Sequence, residues 1–371
     1  MTVCKICESS DLLSIFRHDY LPLYSLSYFY NRKEAVASTS ASVNFVRWPN
    51  CGFLFNTDYH QLNYQVEYEA SRAFSPVFNN YIQEVGKILY DSLECSITKI
   101  VEVGAGDCYF AKVIMELNPD LDYYAYDPSY KTSEVQSKLF KYNEYYHLQK
   151  VKPDMVVARH VLEHQSDVKG FIGSLIHESP LYVFIEIPCT SFVLNNNFHY
   201  YSYEHCSYFD RNSLNKIMND FGYYPVFMEN VFNAENIISL WSRNNRPARN
   251  SQQPTQETIS QIDSYDEWKS SLLSKIFEGD IIWGAAGKGV LILNILGLDY
   301  KKMPFIVDKN PCLHGKYIPL TGNEIISPND LKRMRPENIH VLNSLYLDEI
   351  VSECRHMDIK TEISPLFGID A

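Results

Sequence analysis

The chain has 371 residues, of which 46% are hydrophobic and 14% aromatic, and its formal net charge is −12. Its length suggests two or three domains of about 150 residues each, and its composition is that of a folded protein rather than a disordered one. The negative charge argues against a nucleic-acid partner, because neutralising phosphates requires clustered Lys and Arg side chains.

We expect a cytoplasmic protein with no membrane partner. No basic segment precedes an apolar run at the start of the chain, which predicts that there is no secretory signal. No apolar run approaches the roughly 20 residues of a membrane span. The nine cysteines are an odd number scattered over three regions, which indicates reduced thiols rather than a disulfide framework.

Short apolar runs between prolines, serines and asparagines fill the first sixty residues and predict a small lobe of loops and strands. Residues 78–95 then carry apolar side chains at helical spacing, which predicts a helix. After this helix, the apolar strands "KIVEV", "LDYYAYD", "DMVVARHV" and "LYVFIEI" alternate with helical segments. Such alternation is typical of a parallel sheet covered by helices on both faces.

A polar, proline-containing stretch at 242–258 predicts a linker, and a second alternation of strands and helices follows it. The fold class is therefore α/β, with three parts. We predict a small N-terminal lobe at 1–70, a first α/β domain at 71–245 and a second, Rossmann-like lobe at 246–371.

The stretch "IVEVGAGDCYFA" predicts a strand, a tight glycine turn and a helix. Gly104 and Gly106 allow positive φ angles and a close approach of the backbone to a ligand. Asp127 ends the next strand about 20 residues on, where a carboxylate suits a ribose diol. The pattern fits either an adenosine-bearing methyl donor or a dinucleotide. Glu102 inside the strand and Asp107 after the turn favour the methyl donor, because a dinucleotide turn needs a small residue facing the pyrophosphate.

The dipeptide Glu–His occurs twice, in "ARHVLEHQ" and in "SYEHCSY". The first follows a strand at the ligand-binding edge of the predicted sheet, and we expect His160 there to line the cofactor site or to have a structural role. The second, Glu204 and His205, lies in a long connection of the kind that often carries catalytic residues. Both side chains can reach one site only if the segment is irregular. A hydrogen-bonded histidine within an aromatic cluster is the alternative.

Several motifs taken together resemble the sugar C-methyltransferase family, whose members use S-adenosylmethionine and act on nucleotide-linked keto-deoxysugars. In chain order they are a Cys-x-x-Cys lobe, "VEVGAGD", "ARHVLEH", "FIEIP", "EHCSYF", and "WGAAGKG" with "IVDKNPCLHGKYIPLTG". The resemblance covers nearly the whole chain. It implies a class I methyltransferase sheet in the central domain, a zinc-type N-terminal lobe and a Rossmann-like C-terminal lobe.

The resemblance also implies a mechanism, in which a base removes a proton from a sugar carbon beside a ketone and the enolate takes the methyl group. The presumed base of the family is the histidine of the Glu–His pair, which is His205 here, and Glu204 would orient the sugar or the imidazole. An imidazole with an ordinary pKa of about 6.5 suits this proton transfer. A supporting phenol would come from Tyr201 or Tyr203, and Tyr208 would help to exclude water.

In the last lobe, the resemblance implies a binding site for the nucleotide of the substrate, with glycine N–H groups and a lysine on the phosphates and an acid on the ribose. The implied residues are Gly284, Gly287, Lys288, Gly289, Asp308 and Lys316. In addition, Tyr68 resembles part of the segment that folds over the active site in the family.

The family's first lobe usually holds one zinc ion with four cysteines. Cys4, Cys7 and Cys51 are present here, but Trp48 occupies the position of the fourth. Structural zinc sites are almost always four-coordinate. The sequence therefore leaves two alternatives, a site that another residue completes or a lobe that has lost its metal.

The zinc site and the first glycine turn both depart from the family's pattern. A histidine such as His18 or His60 would be needed to complete a zinc site. Cys108 replaces a glycine in the first glycine turn, which would narrow the approach to the methionine portion of the cofactor.

The leading hypothesis is an S-adenosylmethionine-dependent enzyme that methylates a carbon next to the ketone, C3, of a nucleotide-linked 4-keto-deoxysugar in branched-sugar biosynthesis. One alternative is a sugar O-methyltransferase, which needs a base but no adjacent ketone. Another is a non-catalytic binding protein with the same architecture, and a nicotinamide dehydrogenase comes last. Binding of S-adenosylmethionine without NAD would exclude the dehydrogenase, and turnover of a keto sugar nucleotide would exclude the binding protein.

Overall fold

A computed structural model describes residues 2–62, 74–130, 133–146, 151–195, 197–244 and 265–367. Three β-sheets of four, eight and five strands organise these residues. None of the helices found in these ranges has the length and apolar character that crossing a membrane requires. Most of the predicted linker at 242–258 lies outside the described residues.

The N-terminal lobe is built on an antiparallel sheet. Its elements are β1 (Leu13–Pro22), α1 (Arg32–Val36), β2 (Ser40–Arg47) and β3 (Leu54–Asn56). β2 pairs with both of its neighbours, and its alternate residues Val43 and Phe45 point into a core that also contains Trp48 and Phe53. The short helix α1, which the sequence did not predict, begins where the Asn31 side chain accepts a hydrogen bond from the Lys33 N–H.

The central domain follows with alternating helices and strands. Its elements are α2 (Pro76–Asp91), β4 (Lys99–Val103), α3 (Tyr109–Leu117), β5 (Asp122–Tyr126), β6 (Glu134–Gln136), β7 (Leu139–Tyr142), β8 (Met155–Arg159), α4 (Val168–Leu175), β9 (Tyr182–Pro188), α5 (Thr190–Leu194), β10 (Ser207–Tyr208), α6 (Arg211–Asp220), β11 (Tyr224–Val231) and β12 (Asn236–Ser242).

The eight-stranded sheet has the order β11-β12-β9-β8-β4-β5-β7-β6. The strands β9, β8, β4, β5 and β7 are mutually parallel, whereas β12 runs antiparallel between β9 and β11. Every residue of β9 is buried, as a strand covered on both faces requires. The α/β fold with a parallel central sheet, predicted from the alternating apolar runs, is confirmed.

β10 does not join the central sheet. Its two residues pair instead with β3, so that Ser207 lies opposite Phe55 and Tyr208 lies opposite Leu54. A segment that follows the central strands in sequence therefore forms the fourth strand of the N-terminal sheet. This pairing fixes the connection that contains the second Glu–His pair against the N-terminal lobe.

The C-terminal lobe is a second α/β unit. Its elements are α7 (Tyr265–Leu273), β13 (Ile281–Trp283), α8 (Gly287–Leu296), β14 (Phe305–Val307), β15 (Glu324–Ile326), α9 (Leu331–Met334), β16 (Asn338–Val341), α10 (Leu347–His356) and β17 (Glu362–Pro365). The five strands are parallel in the order β15-β14-β13-β16-β17. Most residues of α8 are buried, because this helix packs between its own sheet and the other lobes.

Backbone hydrogen bonds connect the N-terminal and C-terminal lobes directly. Phe29 and Tyr317 form an antiparallel bridge, in which the Tyr317 N–H donates to the Phe29 carbonyl at 2.8 Å. The Leu320 N–H donates to the Ala35 carbonyl at 2.8 Å. Together with the pairing of β3 and β10, these contacts show that the N-terminal lobe touches both α/β units.

Candidate active site

The first glycine turn follows β4. Gly104 and Gly106 have φ angles of 72° and 52°, which glycine adopts without strain. A Cβ on Gly104 would lie 2.4 Å from the Cγ2 of Val161, so no larger residue fits there. A Cβ on Gly106 would meet nothing within 4 Å, so the turn is open beside Gly106. The backbone is thus accessible to a ligand at the second glycine.

Asp127 closes this turn from the end of β5. Its Oδ2 accepts a hydrogen bond from the Gly106 N–H at 2.9 Å, and its Oδ1 accepts from the Ser129 N–H at 2.8 Å. The predicted ribose acid and the predicted glycine turn are therefore in direct contact. The Ser129 hydroxyl also donates to Oδ1, at 2.5 Å. A carboxylate has about four lone-pair sites, so it can accept from one further donor beyond these three.

Cys108 adopts the left-handed conformation, with a φ of 61°, that a glycine would otherwise supply at this position. Its side chain is buried, with its Sγ 2.8 Å from the hydroxyl of Tyr130, and burial raises the pKa of the thiol to about 11. The thiol therefore points into the protein rather than into the turn. Contrary to the prediction from the sequence, its side chain does not narrow the approach to the methionine portion of the cofactor.

The two other acids near the turn differ in exposure. Glu102 is buried inside β4 and accepts a hydrogen bond from the Tyr123 hydroxyl at 2.9 Å. Burial raises the pKa of Glu102 to about 8. Asp107 is exposed, and its carboxylate accepts a hydrogen bond from the Tyr109 N–H at 3.0 Å at the start of α3.

A buried charge cluster lies where β8 and β9 end. The Glu186 carboxylate accepts from the Arg159 Nε at 2.6 Å, from the Tyr81 hydroxyl at 2.6 Å and contacts the His160 Nε2 at 3.0 Å. Burial alone would raise the pKa of Glu186, but the charges of Arg159 and His160 outweigh it and hold that pKa well below its usual range.

His160 joins this cluster to the first Glu–His pair. It has a φ of 53°, unusual for a residue with a side chain, and its Nδ1 lies 3.2 Å from the Oε1 of Glu163. Burial alone would lower the pKa of His160, but the Glu186 charge and the hydrogen bonds to Glu163 and Glu186 raise it to about 9. His160 is therefore held by two carboxylates beside the glycine turn, where we expected it to line the cofactor site.

The two Glu–His dipeptides converge in space. The ligand atoms of Glu163, His164 and His205 all lie within 4.8 Å of one another. The rings of His164 and His205 meet edge to face, with centroids 4.8 Å apart. The Ser207 hydroxyl donates to the Gln165 carbonyl at 2.9 Å, which fastens one loop to the other. The sequence did not predict a role for His164.

The side chains of Glu204 and His205 lie in different environments, because residues 201–206 form no regular secondary structure. His205 is the one residue from 201 to 210 that is not buried. Glu204 is buried, and its Oε2 accepts hydrogen bonds from both the N–H and the hydroxyl of Ser25. The described contacts of the Glu204 carboxylate thus lie with the N-terminal lobe.

The three tyrosines around this pair are buried. Tyr201 packs between Phe16 and Phe45, with centroid distances of 4.8 and 4.9 Å. The Tyr203 hydroxyl accepts a hydrogen bond from the His60 N–H at 2.8 Å. Tyr208 lies with its ring 5.9 Å from that of His205, and its hydroxyl donates to the Tyr200 carbonyl. Of these three tyrosines, Tyr208 is therefore the one whose ring lies beside the His205 ring.

The second glycine turn packs tightly. A Cβ on Gly289 would lie 1.8 Å from the Gly284 carbonyl oxygen, and Gly284 has a φ of 121°. A Cβ on Gly287 would approach the Ser25 Oγ to 3.6 Å, so the N-terminal lobe covers this side of the turn. Gly284 is therefore required by its backbone conformation, and Gly289 is required because no side chain fits beside the Gly284 carbonyl.

A cleft opens between the central domain and the C-terminal lobe, with about 360 Å³ of space including its mouth. Lys288 lies on its wall, with its Nζ 2.8 Å from the Glu235 Oε1 and 4.4 Å from the centre of the Tyr200 ring. His199 stacks on Phe367 at 4.2 Å. Burial and the Lys288 charge keep the pKa of His199 well below its usual value.

Asp308 and Lys316 lie at the end of β14 and beyond it. The Asp308 Oδ2 accepts a hydrogen bond from the Ala285 N–H at 2.7 Å, so the acid contacts the second glycine turn as Asp127 contacts the first. Burial raises the pKa of Asp308. The Lys316 Nζ lies 4.8 Å from the centre of the Tyr30 ring, on the N-terminal lobe.

Three thiols come together in the N-terminal lobe. The Sγ atoms of Cys4, Cys7 and Cys51 lie within 4.8 Å of one another. Neither predicted histidine completes the group, since the described ligand atoms near it are these three alone. Trp48 is fully buried and stacks on Phe53, so it offers a core side chain in place of a ligand. The protein residues therefore fit three positions of a zinc site but not the four of a closed structural site.

Tyr68 lies outside the described residues. The residues that sequence reasoning missed are Tyr81, Arg159, Glu163, His164 and Glu186. Three of these residues had a signal in the sequence. Glu163 and His164 form the first of the two Glu–His dipeptides, Glu186 is the glutamate of "FIEIP", and both motifs lie at strand ends of the predicted sheet.

Two family models match the chain. Residues 62–226 match a methyltransferase domain, and residues 261–362 match a C-methyltransferase C-terminal domain. The first range contains the glycine turn with Asp127 and the converging Glu–His pairs, and the second contains the second glycine turn. A comparison with curated protein sequences gave no match.

Matches among solved structures include human N-acetylserotonin methyltransferase in complex with S-adenosylmethionine, at 12% identity and a TM-score of 0.36. That match covers 45% of this chain and 55% of the human one. A Burkholderia thailandensis 1,6-didemethyltoxoflavin-N1-methyltransferase matches at 10% identity and a TM-score of 0.34, covering 51% of this chain and 95% of its own. The magnesium protoporphyrin IX methyltransferase of Synechocystis PCC 6803 matches at 11% identity and a TM-score of 0.37. That match covers 47% of this chain and 89% of the Synechocystis one.

Proposed function

We propose that this S-adenosylmethionine-dependent methyltransferase forms a carbon–carbon bond, by methylating the carbon next to the ketone, C3, of a nucleotide-linked 4-keto-deoxysugar. The observation that carries the proposal is the position of His205. It is the accessible residue of a buried segment, and it lies beside Glu163 and His164 at the edge where β8 ends. The matched C-methyltransferase C-terminal domain supports carbon rather than oxygen as the acceptor.

The glycine turn after β4 suits the donor. The open side of Gly106 lets the backbone approach the cofactor, and the Asp127 carboxylate can accept from ribose hydroxyls. When bound, S-adenosylmethionine supplies a methyl group on a sulfonium, which a carbon nucleophile can attack. Because Gly104 lies against Val161, the turn and the loop that leads to His164 are packed together, which supports a donor site close to the proposed base.

His205 would remove the proton from the carbon beside the ketone, and the electron pair of the broken C–H bond would form the enolate. A positioned base of this kind contributes roughly 10²–10⁴ to the rate. Tyr208 and the buried aromatic residues behind it lie on one side of the imidazole and would limit the access of water there. Glu163, buried beside the ring, would stabilise the imidazolium that forms once His205 holds the proton.

The cleft at the C-terminal lobe suits the nucleotide. Lys288, whose ammonium pairs with Glu235 at 2.8 Å, is a cation on this wall that could turn to a phosphate, and the Asn343 amide, 3.2 Å from the Glu235 Oε2, is a further polar group there. The aromatic pair of His199 and Phe367 offers a flat apolar surface for a base or sugar. Asp308 supports the second glycine turn in the same lobe.

The proposal is tested by incubating the protein with methyl-labelled S-adenosylmethionine and a panel of nucleotide-linked 4-keto-6-deoxysugars. Label should enter the sugar at carbon, and solvent deuterium should exchange at that carbon without the donor. We expect His205→Ala to abolish the exchange and leave donor affinity unchanged. His177→Ala, which changes an exposed histidine beside Glu178, is the matched control.

Normal exchange in His205→Ala would rule out this base. Label on a sugar oxygen without exchange would establish an O-methyltransferase instead. If the protein binds both ligands and transfers no label to any sugar of the panel, the proposed reaction is wrong.

A further inference from the structure

Glu163 carries a buried carboxylate oxygen that its described neighbours leave unsatisfied. The side chain is fully buried at the end of the loop after β8. Its Oε1 faces the Nδ1 of His160 at 3.2 Å, whereas its Oε2 has no hydrogen-bond partner in the described part of the chain. A buried carboxylate oxygen without a partner is costly, so the position indicates a ligand.

Two imidazoles lie next to this oxygen. The ligand atoms of Glu163, His164 and His205 are all within 4.8 Å of one another, so small side-chain rotations would bring all three onto one ion. Two imidazole nitrogens and one carboxylate oxygen form a donor set that suits zinc, cobalt, nickel or ferrous iron better than magnesium or calcium, which prefer oxygen ligands.

The surroundings hold these donors in place. The Ser207 hydroxyl connects the two loops at the Gln165 carbonyl, and the His205 N–H donates to the Ser202 Oγ at 3.1 Å. Behind Glu163, His160 contacts both Glu163 and Glu186. The contact of His160 with Glu163 is the arrangement in which an outer residue orients a metal ligand, and the two loop contacts fix the backbone that carries the histidines.

We propose that Glu163, His164 and His205 bind one divalent transition-metal cation, and that the bound cation inhibits methyl transfer by occupying the nitrogen of His205 that would take the substrate proton. The binding part of this proposal is independent of the reaction, whereas the inhibition rests on the proposed function. The site is separate from the three thiols of the N-terminal lobe.

Binding is tested by titrating the full chain with Co²⁺ and recording its absorption. Imidazole and carboxylate ligands give visible d–d bands, whereas thiolates add a charge-transfer band in the near ultraviolet, so the two sites of the chain are distinguished. We expect His164→Ala to lose the visible bands of this site and to weaken its affinity for Co²⁺ at least about 10-fold, since even residues behind a ligand contribute that much. His177→Ala, the exposed histidine beside Glu178, should leave the titration unchanged.

If His164→Ala does not fold, His205→Asn removes a second ligand and should give the same spectral loss. A wild-type titration that shows thiolate bands alone, or a variant that keeps the visible bands and the affinity, overturns the site. For the inhibition, Zn²⁺ should stop methyl transfer by the wild type, and a chelator should restore it. Zn²⁺ binding with full activity would refute inhibition, and inactivity towards every sugar without metal would refute the reaction while the spectra still decide the site.

Discussion

Ser25 and Glu204 are 179 positions apart in sequence, yet both donors of Ser25, its N–H and its hydroxyl, end on the same Oε2 of Glu204 at 2.5 Å. The contact joins the N-terminal lobe to the residue that precedes the proposed base. Gly287 at the start of α8 lies against the same serine. Ser25 is therefore a point where all three parts of the protein meet.

Replacing Ser25 by Ala should lower the free energy of unfolding by about 1.5–3 kcal/mol, because it removes a hydrogen bond to a buried carboxylate. Urea denaturation of the purified variant measures this. Ser42→Ala removes a hydroxyl that donates to the less buried Asp58 at 2.7 Å, and it should have a smaller effect. Equal losses in the two variants would contradict a special role for Ser25.

Glu186→Gln should destabilise the protein by about 3–5 kcal/mol, because it leaves the buried Arg159 and the charged His160 without their shared counter-ion. The comparison is with Glu178→Gln, which removes the partner of His177 at the surface and should change the free energy of unfolding by less than about 1 kcal/mol. Chemical denaturation at one pH gives both values. A Glu186→Gln protein as stable as the wild type would show that the cluster is not charged.

The raised pKa of His160 predicts how stability depends on pH. Its pKa rises from about 6.5 in the unfolded chain to about 9 in the fold, so its stabilising charge is fully present below pH 6.5 and is lost as the pH rises through 9. The shift corresponds to a contribution on the order of 3 kcal/mol.

His160→Asn is the variant for this test, because Asn tolerates the positive φ at this position. The difference in unfolding free energy between wild type and variant should be largest at pH 6 and should shrink towards pH 9.5. A difference that grows with pH would mean that His160 is neutral in the fold.

Gly289→Ala should destabilise the protein by about 1–3 kcal/mol or more, because the new Cβ would lie 1.8 Å from a backbone oxygen of Gly284. Gly287→Ala places its Cβ in ordinary contact with Ser25 and should change stability by less than about 1 kcal/mol. Thermal unfolding of the two variants, two positions apart on the same helix, provides the comparison. Similar melting temperatures would refute the tight packing of this turn.

Asp127→Asn should weaken the binding of S-adenosylmethionine about 10- to 100-fold, because an amide is a poorer acceptor for ribose hydroxyls than a carboxylate. Asp120→Asn changes an exposed acid that pairs with Lys138 and should leave the affinity unaltered. Isothermal titration calorimetry measures both. Unchanged affinity in Asp127→Asn would remove this residue from the cofactor site.

The sequence was informative where local pattern decides structure. The strands β4, β5 and β9 coincide with apolar runs, and Asp127 meets Gly106 because both follow neighbouring parallel strands. The direction of the Glu204 side chain was beyond such reasoning, since its partner comes from a loop that no local pattern relates to it. The contact of His164 with His205 likewise depends on how two irregular loops fold back on each other. A repeat of two dipeptides indicates that both are unusual, and only the tertiary structure shows that they are neighbours.

The pairing of Ser207 and Tyr208 with β3 has a consequence for how this enzyme can be recombined. A catalytic module cut from the chain after residue 70 would carry His205 on a loop stripped of its supporting strand. A chimera that keeps the loop of His205 in place would therefore need to exchange that module together with residues 1–60, because β3 lies within them.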